Sequence, residues 1–400
     1  MKISGIICEY NPFHNGHLHH IRETRKNGAT HIVAVMSGNF VQRGDVAVMD
    51  KLERAKLAVR SGVDLVIELP VQYCLSSAEN FAAGAVWLLD SLGVVEELSF
   101  GSECGDIKKL YNALGTIQKV ALSCHDEIIN IMEKGYTYPK ALNSVINGFD
   151  PQTASVISEP NNLLAIEYLR AMIKFSSKMK PFTVKRAGTA HDGTVTSGNI
   201  TSASDIRSRL ATEKSVPLIR PYTTSLWGDA LESAMHKGET ASLGRLERVM
   251  LYKLRTSSPQ DISLINDVGQ GLEHRIYGAR MAGSLDELFF TVKTKRYTMA
   301  RIRRIMLSVL LGITKEDMKH LPPFGRILAF NERGRDILAQ AKGVTSIPYA
   351  SSIAKLSQLG ETAKRFADIE IRASDVYGLS LGTVTSAQKD YRAKIMIDME

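Results

Sequence analysis

In the first two hundred residues, short and nearly continuous apolar runs recur at 3–8, 31–37, 64–69, 95–100 and 182–185. Runs this short, rich in Val and Ile, read as strands buried on both faces. Between them, apolar positions repeat with helical spacing at 17–26, 51–60, 78–92 and 106–120. Strand and helix in alternation predict an α/β fold built on a doubly wound parallel sheet. Such sheets bind ligands beyond the carboxyl ends of their strands. Unusual residues gather there: His14 and His17 after the first run, Ser37-Gly38-Asn39 after the second, Gly101-Ser102-Glu103 after the fourth and Arg186 after the fifth.

Beyond Pro217-Leu218-Ile219-Arg220-Pro221 strand-like runs become scarce and helical periodicity takes over. The change predicts an α/β domain over 1–215 and a mainly α-helical domain over 216–400. In the second, Met299, Ile302, Met306 and Val309 fall at i, i+3, i+7 and i+10, which marks an amphipathic helix from about Thr298.

Composition narrows the class. A chain of 400 residues exceeds one typical domain, in agreement with that division. Its 44% hydrophobic and 23% charged residues are those of a globular protein able to bury a sizeable core. A net charge of +8 admits a polyanionic partner without requiring one. Cys8, Cys74, Cys104 and Cys124 show no paired spacing, which argues against a zinc ribbon or a disulfide framework. The opening MKISGIICEY has too short an apolar core for a signal peptide, and no run approaches the ~18 apolar residues of a transmembrane helix. A cytoplasmic protein without membrane contact is expected.

The segment Asn11-Pro12-Phe13-His14-Asn15-Gly16-His17 breaks the first strand at Pro12 and restarts the chain as a helix. A helix N-terminus at a strand end is a ready anion site. Gly16 has no side chain, so a base or ribose can approach the backbone there. His14 and His17 each offer a ring nitrogen to phosphate oxygens, more strongly if protonated. Charge growing on an α-phosphate calls for positioned donors rather than a covalent nucleophile. Without a ligand, the same residues read as a helix cap at His17 and a surface turn at His14. A metal reading of His14, His17, His19 and His20 lacks a carboxylate or cysteine partner nearby, so no metal ligands are assigned. His19 and His20 are then ordinary helix residues.

A second constellation is Ser197-Gly198-Asn199-Ile200-Thr201-Ser202-Ala203-Ser204-Asp205-Ile206-Arg207. Taken alone, it is a helix start with Ser202 or Ser204 as cap. Taken with the opening turn, its hydroxyls and amides, with Arg207 one turn on, would clamp a polyphosphate.

His14-Asn15-Gly16-His17 with Thr201-Ser202-Ala203-Ser204-Asp205-Ile206-Arg207 resembles the paired signatures of the HIGH superfamily of nucleotidylyltransferases. Further strings narrow the resemblance to the bacterial tRNA(Met) cytidine acetate ligase family. They are the run from Glu9 to His17, Val35-Met36-Ser37-Gly38-Asn39-Phe40-Val41-Gln42-Arg43-Gly44, the run from Ser61 to Pro70, Phe100-Gly101-Ser102-Glu103 and Pro160-Asn161-Asn162. These motifs cover the first ~210 residues in order, and Lys293-Thr294-Lys295-Arg296-Tyr297-Thr298 adds a fainter likeness. The segment 189–199 is less typical and is expected to form a mobile loop.

The resemblance implies a Rossmann-like catalytic domain and a two-step ligase reaction. ATP activates acetate as acetyl-adenylate with release of pyrophosphate, and the acetyl group passes to the wobble cytidine amine of elongator tRNA(Met). Carried over, the ATP site comprises Ile7, Cys8, Glu9, Tyr10, Asn11, Pro12, Phe13, His14, Asn15, Gly16, His17, Leu18, His19 and His20, then Gly101, Asn161 or its neighbour Asn162, and Arg186. His14 and His17 would stabilise the α-phosphate, while Ser202, Ser204 and Arg207 would hold the departing pyrophosphate. Of these, His14, His17, Ser204 and Arg207 are the catalytic candidates. Mg²⁺ is expected to accompany ATP. The basic stretch Lys293, Lys295, Arg296, Arg301, Arg303 and Arg304, with Tyr297 among them and no acid nearby in sequence, is the candidate for tRNA phosphate contacts. Lys51 and Arg54 open a helix and read as a solvated face or a substrate contact. Two other uses of such a fold fit less well. A coenzyme adenylyltransferase would not need so large a basic second half. A non-catalytic tRNA-binding protein would not need His14, His17, Ser204 and Arg207 intact.

Overall fold

The structure, a computed structural model, describes residues 1–186, 199–213, 216–269, 271–393 and 395–398. Ser197, Gly198 and residues 189–198 of the predicted loop lie outside the described residues. Among the described residues there are ten strands: β1 Ile3–Cys8, β2 His31–Ser37, β3 Phe40–Val41, β4 Asp45–Val46, β5 Leu65–Leu69, β6 Glu97–Ser102, β7 Lys180–Lys185, β8 Gly325–Asn331, β9 Tyr349–Ala350 and β10 Met396–Asp398.

The central sheet runs β10-β8-β5-β2-β1-β6-β7, with β9 paired to β8. From β5 to β7 every pairing is parallel, with Cys8 beside Met36 and Gly5 beside Leu98. The chain winds outward from β1 to β2 and β5, then returns to lay β6 and β7 on the other side. The order therefore reverses between β1 and β6, and ligands bind in the crevice at such a point.

The sheet is not confined to 1–215. β8 comes from the second half, runs antiparallel to β5 and buries Ile327, Leu328 and Ala329. It covers a strand edge that the parallel core would otherwise expose. The rest of the second half is mainly helical. Its own apolar core, including Leu254, Leu288, Ile302 and Met306, also takes in Phe40 and Val46 of the β3–β4 hairpin. The predicted amphipathic helix is Met299–Leu311, capped by Thr298, with Ile302, Met306 and Val309 buried. On the face of the sheet carrying Ile6, Ala34 and Val66, Ile206, Leu210, Trp227 and Leu231 complete the core. Residues after 200 are thereby packed onto the opening turn.

Candidate active site

The opening turn is built as an N-terminal cap. His14 precedes the helix Asn15–Lys26 in extended conformation, and its Nδ1 accepts from the Gly16 N–H at 3.0 Å. His17 Nδ1 accepts in return from the His14 N–H at 3.2 Å. This is the reciprocal capping-box arrangement with imidazoles in the usual Ser and Glu places. Because both Nδ1 atoms accept, both rings carry their proton on Nε2, which is left as each ring's donor. The rings stack with centroids 3.8 Å apart. Gly16 is required here, since a Cβ would lie 2.8 Å from the His14 ring.

The sequence allowed His14 a surface position, and the structure buries it instead. His14 is 4% exposed, and burial, with Arg186 nearby, lowers its pKa to about 3. Burial and the neighbouring His14 push His17 well below the ordinary imidazole value. His20 falls to about 4 for the same first reason, and its Nε2 meets Ser99 Oγ at 2.9 Å. The site thus presents neutral N–H donors at pH 7.

The turn before His14 is held from several directions. Tyr10 adopts a left-handed φ of 45°, and the Asn11–Pro12 peptide is cis. Asn11 Oδ1 accepts from the Val48 N–H at 2.8 Å, while Asn11 Nδ2 is buried without a partner. Phe13 stacks on Trp227 at 5.2 Å, and its carbonyl accepts from Thr223 Oγ1 at 2.8 Å. Asn15 Nδ2 donates to the carbonyls of Asn199 and Pro221. Ile7 to Asn11, at the end of β1, and Leu18 to His20, in the first helix turns, complete this segment in one place.

The second constellation docks against it. Ser202 begins the helix Ala203–Glu213: its carbonyl accepts from Ile206 and its Oγ from the Asp205 N–H. Arg207 Nη1 reaches back 2.6 Å to the Asn11 carbonyl, and its Nη2 donates to Ser204 Oγ at 3.2 Å. Arg186 follows β7 directly. A Cβ on Gly101 would lie 3.3 Å from Arg186 Cγ, so the glycine makes room for this side chain. Arg186 Nε is buried without a hydrogen-bond partner. Burial lowers the pKa values of both Arg186 and Arg207, an effect opposed by Glu103 at Arg186 and by Asp45 and Glu9 at Arg207.

Asn161 and Asn162 separate clearly. Asn162 is 2% exposed, its Oδ1 accepting from the Cys104 N–H and its Nδ2 donating to the Val156 carbonyl. Asn161 is less buried and donates to Glu103 Oε1. Glu103 also accepts from both asparagine N–H groups and so caps the helix Pro160–Lys174.

Sequence reasoning missed Arg43, whose Nη1 donates to Ser204 Oγ at 3.2 Å. It lay inside the Val35–Gly44 string, and a lone Arg in a Gly-flanked turn was its only signal. Among the described residues, Arg43, Arg186 and Arg207 form no ion pair with any carboxylate.

Lys51 and Arg54 are neither solvated nor free for substrate. Arg54 is 0% exposed and donates to the carbonyls of Glu9, Ser37, Gly38 and Met49, tying together the ends of β1 and β2. Lys51 Nζ meets Glu68 at 2.5 Å, Asp390 at 2.9 Å and Glu370 at 3.0 Å. Arg326 meets Asp390 at 2.7 Å and Glu68 at 3.1 Å. The Ser37-Gly38-Asn39 end of β2 serves this cluster instead of a ligand: Asn39 Oδ1 accepts from the Lys51 N–H, and a Gly38 Cβ would lie 2.8 Å from Glu68 Oε1.

The basic stretch divides as well. Lys293 and Lys295 are exposed and Arg296 partly so, whereas Arg304 is buried and donates to the Gln42 carbonyl at 3.2 Å. An acid stands there after all, contributed from elsewhere in the chain: Asp267 lies 3.4 Å from Arg301 and 3.6 Å from Arg304.

The HIGH Nucleotidyl Transferase family matches residues 1–392. The chain is 38% identical over 400 residues to the tRNA(Met) cytidine acetate ligase of Thermoanaerobacter sp. (strain X514), covering 98% of each. To that of Alkaliphilus metalliredigens (strain QYMF) it is 39% identical over 405 residues, covering 95% of each. It is similar in structure to Thermotoga maritima TmcAL in its apo form, with a TM-score of 0.92, 30% identity and full coverage of both chains. The same protein bound with alpha-thio ATP gives 0.91 at 29% identity, again over the whole of both chains. Donors gathered at the strand ends, the two histidine and arginine motifs and these full-length matches agree, and the chain belongs to the tRNA(Met) cytidine acetate ligase family of the HIGH nucleotidyl transferases.

Proposed function

We propose that this protein uses ATP and acetate to acetylate the wobble cytidine of elongator tRNA(Met). The observation that carries the reading is the convergence of two neutral imidazole donors with guanidiniums that form no ion pair with a carboxylate among the described residues, at the point where the strand order reverses. Glu9, Asp45 and Glu103 stand nearby without forming an ion pair to these guanidiniums among the described residues, which suits a ligand that brings its own negative charge.

Acetate is inert at neutral pH because hydroxide is a poor leaving group. An acetate oxygen attacks the α-phosphorus, the bond to the β-phosphate oxygen breaks, and pyrophosphate departs with the charge. The cytidine amine then attacks the acetyl carbonyl, losing its proton as AMP leaves. His14 and His17 donate through Nε2 to the α-phosphate, and Ser204 and Arg207 hold the pyrophosphate. Arg186 fills the space Gly101 leaves and neutralises phosphate charge. Asn161, less buried than Asn162, is the asparagine that faces ATP. No group of three or more His, Cys, Asp or Glu side chains among the described residues could hold a metal ion, so Mg²⁺ would be bound mainly by the phosphates of ATP.

The wobble base lies in a single-stranded loop, so it can be splayed out without opening a duplex. Lys293, Lys295 and Arg296, with Arg301, supply tRNA phosphate contacts, and Arg304 positions the β3–β4 hairpin beside them. In this reading 1–215 carries the chemistry, 216–400 binds the tRNA, and the protein works in the cytoplasm. No helix among the described residues is long and apolar enough to cross a membrane. Incubation with ATP, labelled acetate and total tRNA, followed by nucleoside mass analysis, tests the reading. It predicts labelled N4-acetylcytidine in elongator tRNA(Met), and its absence rejects the assignment.

A further inference from the structure

The β3–β4 hairpin carries Arg43 at its turn, next to the opening segment. Ser204 Oγ accepts from Arg43 Nη1 and from Arg207 Nη2, each at 3.2 Å. A hydroxyl oxygen has two lone pairs, and here both face guanidiniums. Two like charges on one neutral acceptor repel, and the arrangement becomes favourable when an anion lies against both. Arg43 and Arg207 are near enough for that repulsion to be felt, as are Arg43 and Arg186.

The backbone around Arg43 is clamped. On one side the Gln42 N–H donates to Glu9 Oε1 at 2.8 Å, which ties the turn to the ATP motif. On the other, Arg304 Nη1 donates to the Gln42 carbonyl. Gly44, with φ +72°, sits so close to the helix Met299–Leu311 that a Cβ would come within 2.7 Å of the Arg304 nitrogen. The backbone of the turn is therefore fixed before any ligand arrives, while the Arg43 side chain is exposed and held by its bond to Ser204.

We propose that Arg43 is a further catalytic residue, a donor to the pyrophosphate as it leaves the α-phosphorus. The assignment rests on the acetyl-adenylate reading above. As the acetate oxygen bonds to the α-phosphorus, the bond to the β-phosphate oxygen breaks and its electron pair passes to pyrophosphate. Arg43 meets the charge so formed and transfers no proton. Arg43, Arg207 and the Ser204 hydroxyl close around the leaving group from the hairpin and from the helix Ala203–Glu213.

Acetate-dependent ATP–pyrophosphate exchange on the full chain, without tRNA, tests this. For Arg43→Ala we expect an exchange rate lower by about 100-fold, a raised KM for pyrophosphate and an unchanged melting temperature. Arg43→Gln should behave as Arg43→Ala, and Arg43→Lys should recover part of the loss by restoring charge. Should Arg43→Ala fail to fold, the Lys and Gln variants decide between charge and shape. Exchange and pyrophosphate KM unchanged in the variants of an active wild type overturn the role of Arg43. So does an equal loss in Lys and Gln variants with pyrophosphate KM unmoved. A wild-type chain that shows no acetate-dependent exchange overturns the reading of the site, and this assignment with it.

Discussion

Two groups of cations are built in opposite ways: Lys51 and Arg326 are buried, whereas Arg186 and Arg207 are half-buried and Arg43 is exposed. In one, Lys51 and Arg326 meet Glu68, Glu370 and Asp390, every contact at 3.1 Å or less. In the other, Arg43, Arg186 and Arg207 gather around Ser204 and the His14 turn without an ion pair among the described residues. The first group closes its own charge and pins Glu370 and Asp390, from the second half, onto β5 and the helix Lys51–Arg60. In the proposed reading, the second leaves its charge to be met by ATP. The two groups therefore differ in burial as well as in pairing: the clamp's cations are buried against carboxylates, and the other group stays partly open to solvent.

The largest expected effect breaks the clamp. Lys51→Met leaves three buried carboxylates facing Arg326 alone, and urea unfolding should show a loss of about 3–5 kcal/mol. Unfolding at the wild-type midpoint would make the cluster a bystander. On the site side, His17→Asn keeps an oxygen to accept from the His14 N–H but removes the Nε2 donor. Acetate-dependent exchange should drop about 10²–10³-fold with stability little changed. If stability falls and activity per folded molecule does not, the histidine belongs with the clamp.

Acid sharpens the contrast. His14 and His20, with folded pKa values near 3 and 4 against an ordinary 6.5, resist protonation in the folded chain. The unfolded chain takes up these protons first. Stability should be insensitive to the two rings above pH 6.5 and fall as pH drops from there toward 4 and 3. For each ring the slope is at most about 1.4 kcal/mol per pH unit. Bound ATP, by favouring the charged imidazoles, should flatten it, and melting curves between pH 7 and 4 with and without ATP check this. Glu68 shifts the other way, raised by burial first and then by Glu370, while Lys51 and Arg326 pull it back toward the charged form. The smallest effect concerns the exposed basic residues. Lys293→Ala with Lys295→Ala should weaken tRNA binding and make its salt dependence shallower by about one unit of slope for each phosphate no longer neutralised. An unchanged slope would remove both lysines from the interface.

Much of the fold was legible because local pattern decided it. The limits predicted for β1, β2 and the helix Lys51–Arg60 coincide with those observed. β6 begins two residues later than its apolar run because Val95 is used for packing, close to Gly5 and Leu89, before the strand starts. β8 escaped notice because four apolar residues, Ile327 to Phe330, do not tell strand from buried helix by periodicity. Its place is set by pairing with β5, far away in sequence. The histidines, Arg207 and Arg186 could be singled out as candidates because they sit at strand or helix ends. The burial that keeps the imidazoles neutral could not, since Trp227, stacked on Phe13, arrives at the turn only through the fold. For the same reason Lys51 and Arg54 looked like any charged helix start.

The central claim is that the unpaired cations form the ATP site, and calorimetric titration of ATP into the wild type, Arg186→Ala and a clamp-region control tests it most directly. The control is Glu370→Gln, which keeps the fold's shape while altering the paired cluster. The account predicts that Arg186→Ala binds ATP about 10–100-fold more weakly at an unchanged melting temperature, while Glu370→Gln binds as the wild type does. Equal ATP affinity in the wild type and Arg186→Ala would contradict it.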